Sequence, residues 1–226
     1  MNITLAIRPR RVLLVAVVAL VIGALALALA PSSHHGHDTT VSAASRASRS
    51  TLHDAMRKLW EDRIVWTRMA IVSVASDLPD TSVAVDRLLR NQDDIGDAIK
   101  PFYGDAAGEE LSRLLGEHIT GAADLLAAAK GGDANAVAAA SEAWYANADA
   151  IATFLSNANP RNWDLADMQA MMHDHLDLTL EEAVARLEGR YADDAAAYDE
   201  IHVQILHMAD MLSDGILAQF PARFDR

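Results

Sequence analysis

Residues 163–189 read WDLADMQAMMHDHLDLTLEEAVARLEG, and their spacing decides the fold. Turned by about 100° per residue, Leu165, Met168, Met172, Leu176 and Ala183 fall on one arc. This is the recurrence of an amphipathic helix, not the alternation of a half-buried strand. His175, Thr179 and Glu182 lie inside the same arc, whereas His173 points away from it. Polar groups on an apolar arc are costly to bury unless they find partners. The segment that announces a helix therefore also nominates site residues.

The same pattern extends outward in both directions, punctuated by helix breakers. Toward the C-terminus, Gly189 ends this fifth helix, and a sixth runs from about residue 193 to 219, before Pro221. Toward the N-terminus, Asn159-Pro160 ends a fourth helix that Asp133 caps after Gly131-Gly132. A third covers 105–129. A second ends near Ile99, where Lys100-Pro101 and Gly104 interrupt it. The first spans 51–77 and stops at Leu78-Pro79-Asp80, with Asp80 or Thr81 placed to cap the second. Short turns between long amphipathic helices place neighbours antiparallel. The expected fold is all-α, an antiparallel up-and-down bundle of five or six helices with no strands.

Ahead of the bundle, residues 12–30, VLLVAVVALVIGALALALA, form an unbroken apolar run preceded by Arg8, Arg10 and Arg11. Nineteen helical residues reach about 28 Å, close to a bilayer's hydrocarbon thickness. The basic cluster lies on the N-terminal side, which places residues 1–11 in the cytoplasm and the bundle outside. Ala28-Leu29-Ala30 has the small-residue form of a cleavage site, but Pro31 follows it directly and hinders processing. The run is expected as an uncleaved, single-pass transmembrane signal anchor; cleavage would instead release a secreted or periplasmic domain. Residues 31–50 lack an apolar period and read as a flexible tether. Within it His34, His35, His37 and Asp38 are a loose candidate set for a divalent metal.

The chain has 19 Lys and Arg, 32 Asp and Glu, and no cysteine. The first fifty residues hold five Arg and one Asp, so residues 51–226 carry 14 basic against 31 acidic groups, a net −17. Such a surface repels phosphate backbones, and no nucleic-acid partner is expected. Without cysteine, neither disulfides nor lipid attachment after the apolar run enters the account.

Further inward polar residues appear on the other helices. Arg63 sits among Leu52, Met56, Leu59, Trp66 and Ala70; Gln92 among Leu88, Leu89, Ile95 and Ile99; His118 among Leu111, Leu114, Leu115, Ala122 and Leu125. In the fourth helix Trp144 and Asn147 are bracketed by Val137, Ala140, Ile151 and Phe154. In the sixth, Tyr198 lies on the stripe of Ile201, Ile205, Met208 and Leu212, with His202 and His207 at its edges. About a turn near residue 131, His118 is level with Trp144 and one turn from Asn147. About a turn near 191, His175 is level with His207 and Met171 with Met211. The candidate ligand-binding set is Arg63, Gln92, His118, Trp144, Asn147, His175, Thr179, Glu182 and His202. A hydrogen-bonded network that fixes helix register is the plainer reading of the same residues.

Two chemistries compete with simple ligand binding. His175, His207, Met171 and Met211 combine imidazole with thioether, a set suited to copper or another divalent metal, although methionines at this spacing also fill cores. An enzyme built on His118, His175 and Arg63 is the third reading. Against metalloenzymes stand the missing H-E-x-x-H and the single D-x-x-H at Asp199–His202 where a di-iron bundle needs paired E-x-x-H.

The strings LHDAMRKLWED-x-IVWTR at 52–68, LLRNQDDIGDAIKPFYG at 88–104 and MADMLSDGI at 208–216 resemble a group of uncharacterised bacterial exported helical-bundle proteins. The resemblance covers roughly residues 52–220 and implies no known chemistry. In that group the position of Arg63 is commonly His, and arginine is no ordinary metal ligand. A family metal site would be altered here, and an anion or a carboxylate such as Glu182 or Asp199 becomes the natural partner. The expectation is a membrane-anchored extracytoplasmic bundle that binds a small molecule or a protein partner without catalysing a reaction.

Overall fold

The computed structural model describes residues 43–224, which fall within one compact unit. Six α-helices follow one another: α1 Ala43–Ala75, α2 Thr81–Tyr103, α3 Asp105–Gly131, α4 Ala134–Ala158, α5 Leu165–Leu187 and α6 Tyr191–Gln219. A short 3-10 turn, Pro221–Arg223, ends the described chain. No strand occurs among the described residues. Each helix packs on its sequence neighbours, α6 returns to α1, and α1 also touches α3 and α5 across the interior. The result is a closed up-and-down ring. The apolar run 12–30 and the His34–Asp38 set lie outside the described residues, and no described helix is long and apolar enough to cross a membrane.

Local chemistry explains the helix ends. The Asp133 carboxylate accepts from the backbone N–H of Asn135 and Ala136 at 3.0 and 3.1 Å. Asp164 does the same for Ala166 and Asp167 at the start of α5. Gly132 closes α3 in the left-handed region at φ 73°, where a side chain would be strained.

Three expectations need correction. Residues 43–50 are not part of a tether: they are the first turns of α1, because alanine and arginine extend a helix cheaply once Met56 to Ile71 have nucleated it. Pro101 does not end α2, since in the last turn it forfeits only the bond its missing N–H would make to the Asp97 carbonyl. Asp80 occupies the N-cap position of α2, yet its carboxylate accepts from Ser73 Oγ at 2.9 Å instead of capping.

The inward arc of α1 is also turned from the one expected. Of the expected stripe Met56 does fill the core, but its companions there are Trp60, Ile64 and Ile71, whereas Leu52, Leu59, Trp66 and Ala70 are half-buried.

The two ends of the bundle are packed differently. Where α2, α4 and α6 finish, Phe102, Tyr103, Trp163, Phe220 and Phe224 join in ring contacts of 5.3–5.9 Å. Glycines let backbones close up there: a Cβ on Gly108 would lie 2.6 Å from the Gly96 carbonyl oxygen. One on Gly215 would lie 2.0 Å from Trp163 Nε1. Where α1, α3 and α5 finish, buried charge and a cavity replace this close packing.

Candidate functional site

Arg63 and Thr67 stand one turn apart on α1, as do His175 and Thr179 on α5, so each pair presents one face. His118 enters from α3 and Trp144 from α4. These six side chains line a cavity of about 90 Å³ whose remaining wall is apolar, including Ile71, Leu88, Ile119, Leu126 and Val184. The polar pole lies at mid-height of the helices, and the apolar wall runs from it toward Val74, Ala129 and Leu187.

Hydrogen bonds fix both imidazoles. Asn147 Nδ2 donates to the Leu114 carbonyl at 3.2 Å, which turns its Oδ1 toward His118 Nδ1 at 2.8 Å. Gln204 Nε2 donates to the Met171 carbonyl at 3.0 Å, which turns its Oε1 toward His175 Nδ1 at 3.2 Å. A carbonyl cannot donate, so both amides are oriented and both rings carry their proton on Nδ1. Nε2 of each is left as an acceptor. Trp144 Nε1 donates to the His118 carbonyl at 3.0 Å, and the two rings lie 5.2 Å apart. Thr67 and Thr179 donate back to the carbonyls of Arg63 and His175.

Arg63 is the anomaly. It is 3% exposed, and among the described residues no carboxylate pairs with it. Its Nη1 is buried without a hydrogen-bond partner, as are Trp60 Nε1, Arg87 Nη1, Asn91 Oδ1 and Gln92 Oε1, but among these only Arg63 lines the cavity; its guanidinium lies over the Trp60 ring at 5.9 Å. Burial lowers its pKa to about 10, so it keeps its charge at neutral pH. Burial, and then the Arg63 charge, lowers the pKa of His175 to about 4 and that of His118 well below the usual histidine range. At neutral pH the pole therefore holds one cation and two neutral imidazoles.

Several expected members lie elsewhere. Glu182 is buried, but it pairs with Arg68 at 2.6 Å, and Arg68 also holds the buried Asp194 at 2.7 Å. Burial pushes the Glu182 carboxyl up to about 7. Asp199 is exposed, so neither carboxylate neutralises Arg63. Gln92 is buried beside Gly116 and does not line the cavity. His202 forms a half-exposed pair with Glu61 at 2.7 Å. Asn147 acts from behind His118 rather than on the cavity.

The proposed metal set is divided. His175 faces the cavity, whereas Met171, His207 and Met211 line an outer groove with Gln204 and Asp210. Among the described residues no three His, Asp or Glu side chains gather as a metal site. The offset has a simple cause: α5 stops at Leu187 and α6 starts at Tyr191, so the chain folds back near residue 189 and His175 meets Gln204 rather than His207.

Sequence reasoning missed Thr67, Trp60, Gln204 and the Arg68–Asp194 pair. Thr67 was legible one turn from Arg63 on the same face. Asp194 extends the stripe of Ala197 and Ile201 and was legible from that spacing. Compared with known proteins, the chain matches no family, no curated protein and no solved structure. The class defined by fold and site is a six-helix bundle with a small, one-cation internal cavity.

Proposed function

We propose that this chain is a membrane-anchored, extracytoplasmic helical bundle that binds a small molecule in the cavity between α1, α3 and α5 and performs no reaction on it. The observation that carries this reading is Arg63: a buried charge that lacks an ion partner costs stability and is retained where something binds to it. Anchoring rests on the apolar run 12–30 with its preceding arginines. The chemistry of the lining supports binding over catalysis. Among the described residues no carboxylate lines the cavity, both threonine hydroxyls are engaged with backbone carbonyls, and both imidazoles are too weakly basic to activate them at neutral pH. A cupric or zinc ion at the two free Nε2 atoms would sit beside the Arg63 charge in a poorly screened interior, which opposes the metal alternative.

Ligand-observed NMR with a panel of small neutral and charged compounds tests the reading. Compounds of up to about six non-hydrogen atoms should bind, and Ala122→Trp, which fills the cavity, should abolish their binding. If no compound of any charge binds, or if binding survives Ala122→Trp, the cavity is not the site.

A further inference from the structure

Resting on that reading of the cavity, we infer that its occupant is a short-chain monocarboxylate, with the carboxylate on Arg63 and the carbon chain against Ile71, Leu126 and Val184. Charge points to a carboxylate. Among the described residues Arg63 Nη1 is a buried donor with no partner, and a guanidinium matches a carboxylate in a planar two-bond fork. One cation with two neutral imidazoles balances a single negative charge; the second charge of a phosphate dianion would remain buried and unpaired. The imidazole Nε2 atoms accept but do not donate, so they offer nothing to the further anionic oxygens of a phosphate, and Arg63 is left as the donor to a carboxylate.

The wall points to a short carbon chain. Beyond the pole the lining is apolar and offers no donor to a sugar or an amino acid. A cavity of about 90 Å³ is smaller than the roughly 150 Å³ cavity that takes up benzene. The enclosed space thus suits about four non-hydrogen atoms, the size of acetate, and the longer chain of butyrate would reach on toward the partly exposed outer end. Entry is expected at the outer end, where Val74, Ala123 and Leu187 are at least partly exposed while Arg63 and His118 are sealed. The acidic surface repels anions only over about 8 Å at physiological salt, so it affects the rate of entry more than the bound state.

Isothermal titration of the full-length protein in chloride-free buffer decides it. Butyrate and its neutral amide, butyramide, have nearly the same shape, and butyrate should bind at least about 30-fold more tightly. Inorganic phosphate should not compete. Arg63→Met should remove that preference, and Ala122→Leu should exclude butyrate while admitting acetate. Equal binding of butyrate and butyramide to the unaltered protein overturns the carboxylate and leaves the cavity reading intact. Phosphate that competes as well as butyrate also overturns it. Failure of both butyrate and butyramide to bind overturns the inference and, with the panel above, the cavity reading. Should Arg63→Met not fold, the acid–amide comparison and Ala122→Leu still decide.

Discussion

The aromatic end and the cavity end are built from the same six helices and solve opposite problems. At the aromatic end, Gly96, Gly108 and Gly215 remove side chains so that Trp163 and neighbouring backbones can close to contact. At the cavity end, Ala70, Ala122 and Ala183 also leave space, but among the described residues no side chain closes it, and none supplies Arg63 with a counter-ion. Close packing at one end supplies stability that the other end does not need to maximise. The contrast predicts opposite signs for substitutions at the two ends.

The largest effect belongs to the aromatic end. Trp163 is 2% exposed and packs on Tyr103 and on the face opened by Gly215. Trp163→Ala should cost about 4 kcal/mol in urea denaturation, in line with large-to-small changes in cores. A loss below about 1 kcal/mol would show that this end is not the packed half.

Most of the fold was legible, because each turn carries its own chemistry: Asp133 and Gly132 between α3 and α4, and Gly189 after α5. The inward arc of α5 was legible too, and His175, Thr179 and Glu182 are all buried. His118 meets Trp144 and Asn147 because a tight turn fixes heights on both sides of it. Across distant helices this reasoning stops. Glu182 pairs with Arg68 rather than Arg63 because the lateral fit of α1 against α5 and α6 selects the partner, and no local spacing encodes that fit. The arc of α1 was ambiguous because Leu52, Leu59 and Trp66 on one side rival Trp60 and Ile64 on the other, with Met56 between them; burial chose the second side together with Met56.

The next effect concerns pH. An unfolded chain protonates His175 below about 6.5, whereas burial and the Arg63 charge delay this to about 4 in the folded protein. Between these values the unfolded state binds more protons, so this contribution is fully present above pH 6.5 and is lost as pH falls toward 4. The loss amounts to about 3 kcal/mol. Glu182 acts in the opposite sense: its raised carboxyl pKa makes its contribution fall as pH rises toward 7. It does so in the parent and in a His175→Gln variant alike. The difference between the two proteins, measured by denaturation at several pH values, therefore isolates His175. The parent should lose more stability than the variant on acidification, and parallel profiles would mean that His175 is not held neutral.

The smallest effect is the most pointed, because its sign separates a structural arginine from a binding one. If Arg63 were a framework residue, removing it would leave partners behind and destabilise the bundle. Among the described residues it has no ion partner; the Trp60 ring lies 5.9 Å away, and the neutral imidazoles of His118 and His175 share its cavity. Replacement by methionine, similar in length and uncharged, relieves the cost of burying the charge and should stabilise the ligand-free protein by about 2 kcal/mol. Saturating butyrate should then reverse the order, because ligand at one hundred times its Kd adds about 2.7 kcal/mol to a protein that binds it and nothing to one that does not. A melting series of parent and Arg63→Met, each with and without butyrate, checks both halves of the argument. An Arg63→Met protein less stable than its parent without ligand would make Arg63 part of the framework and erase the distinction between the two ends.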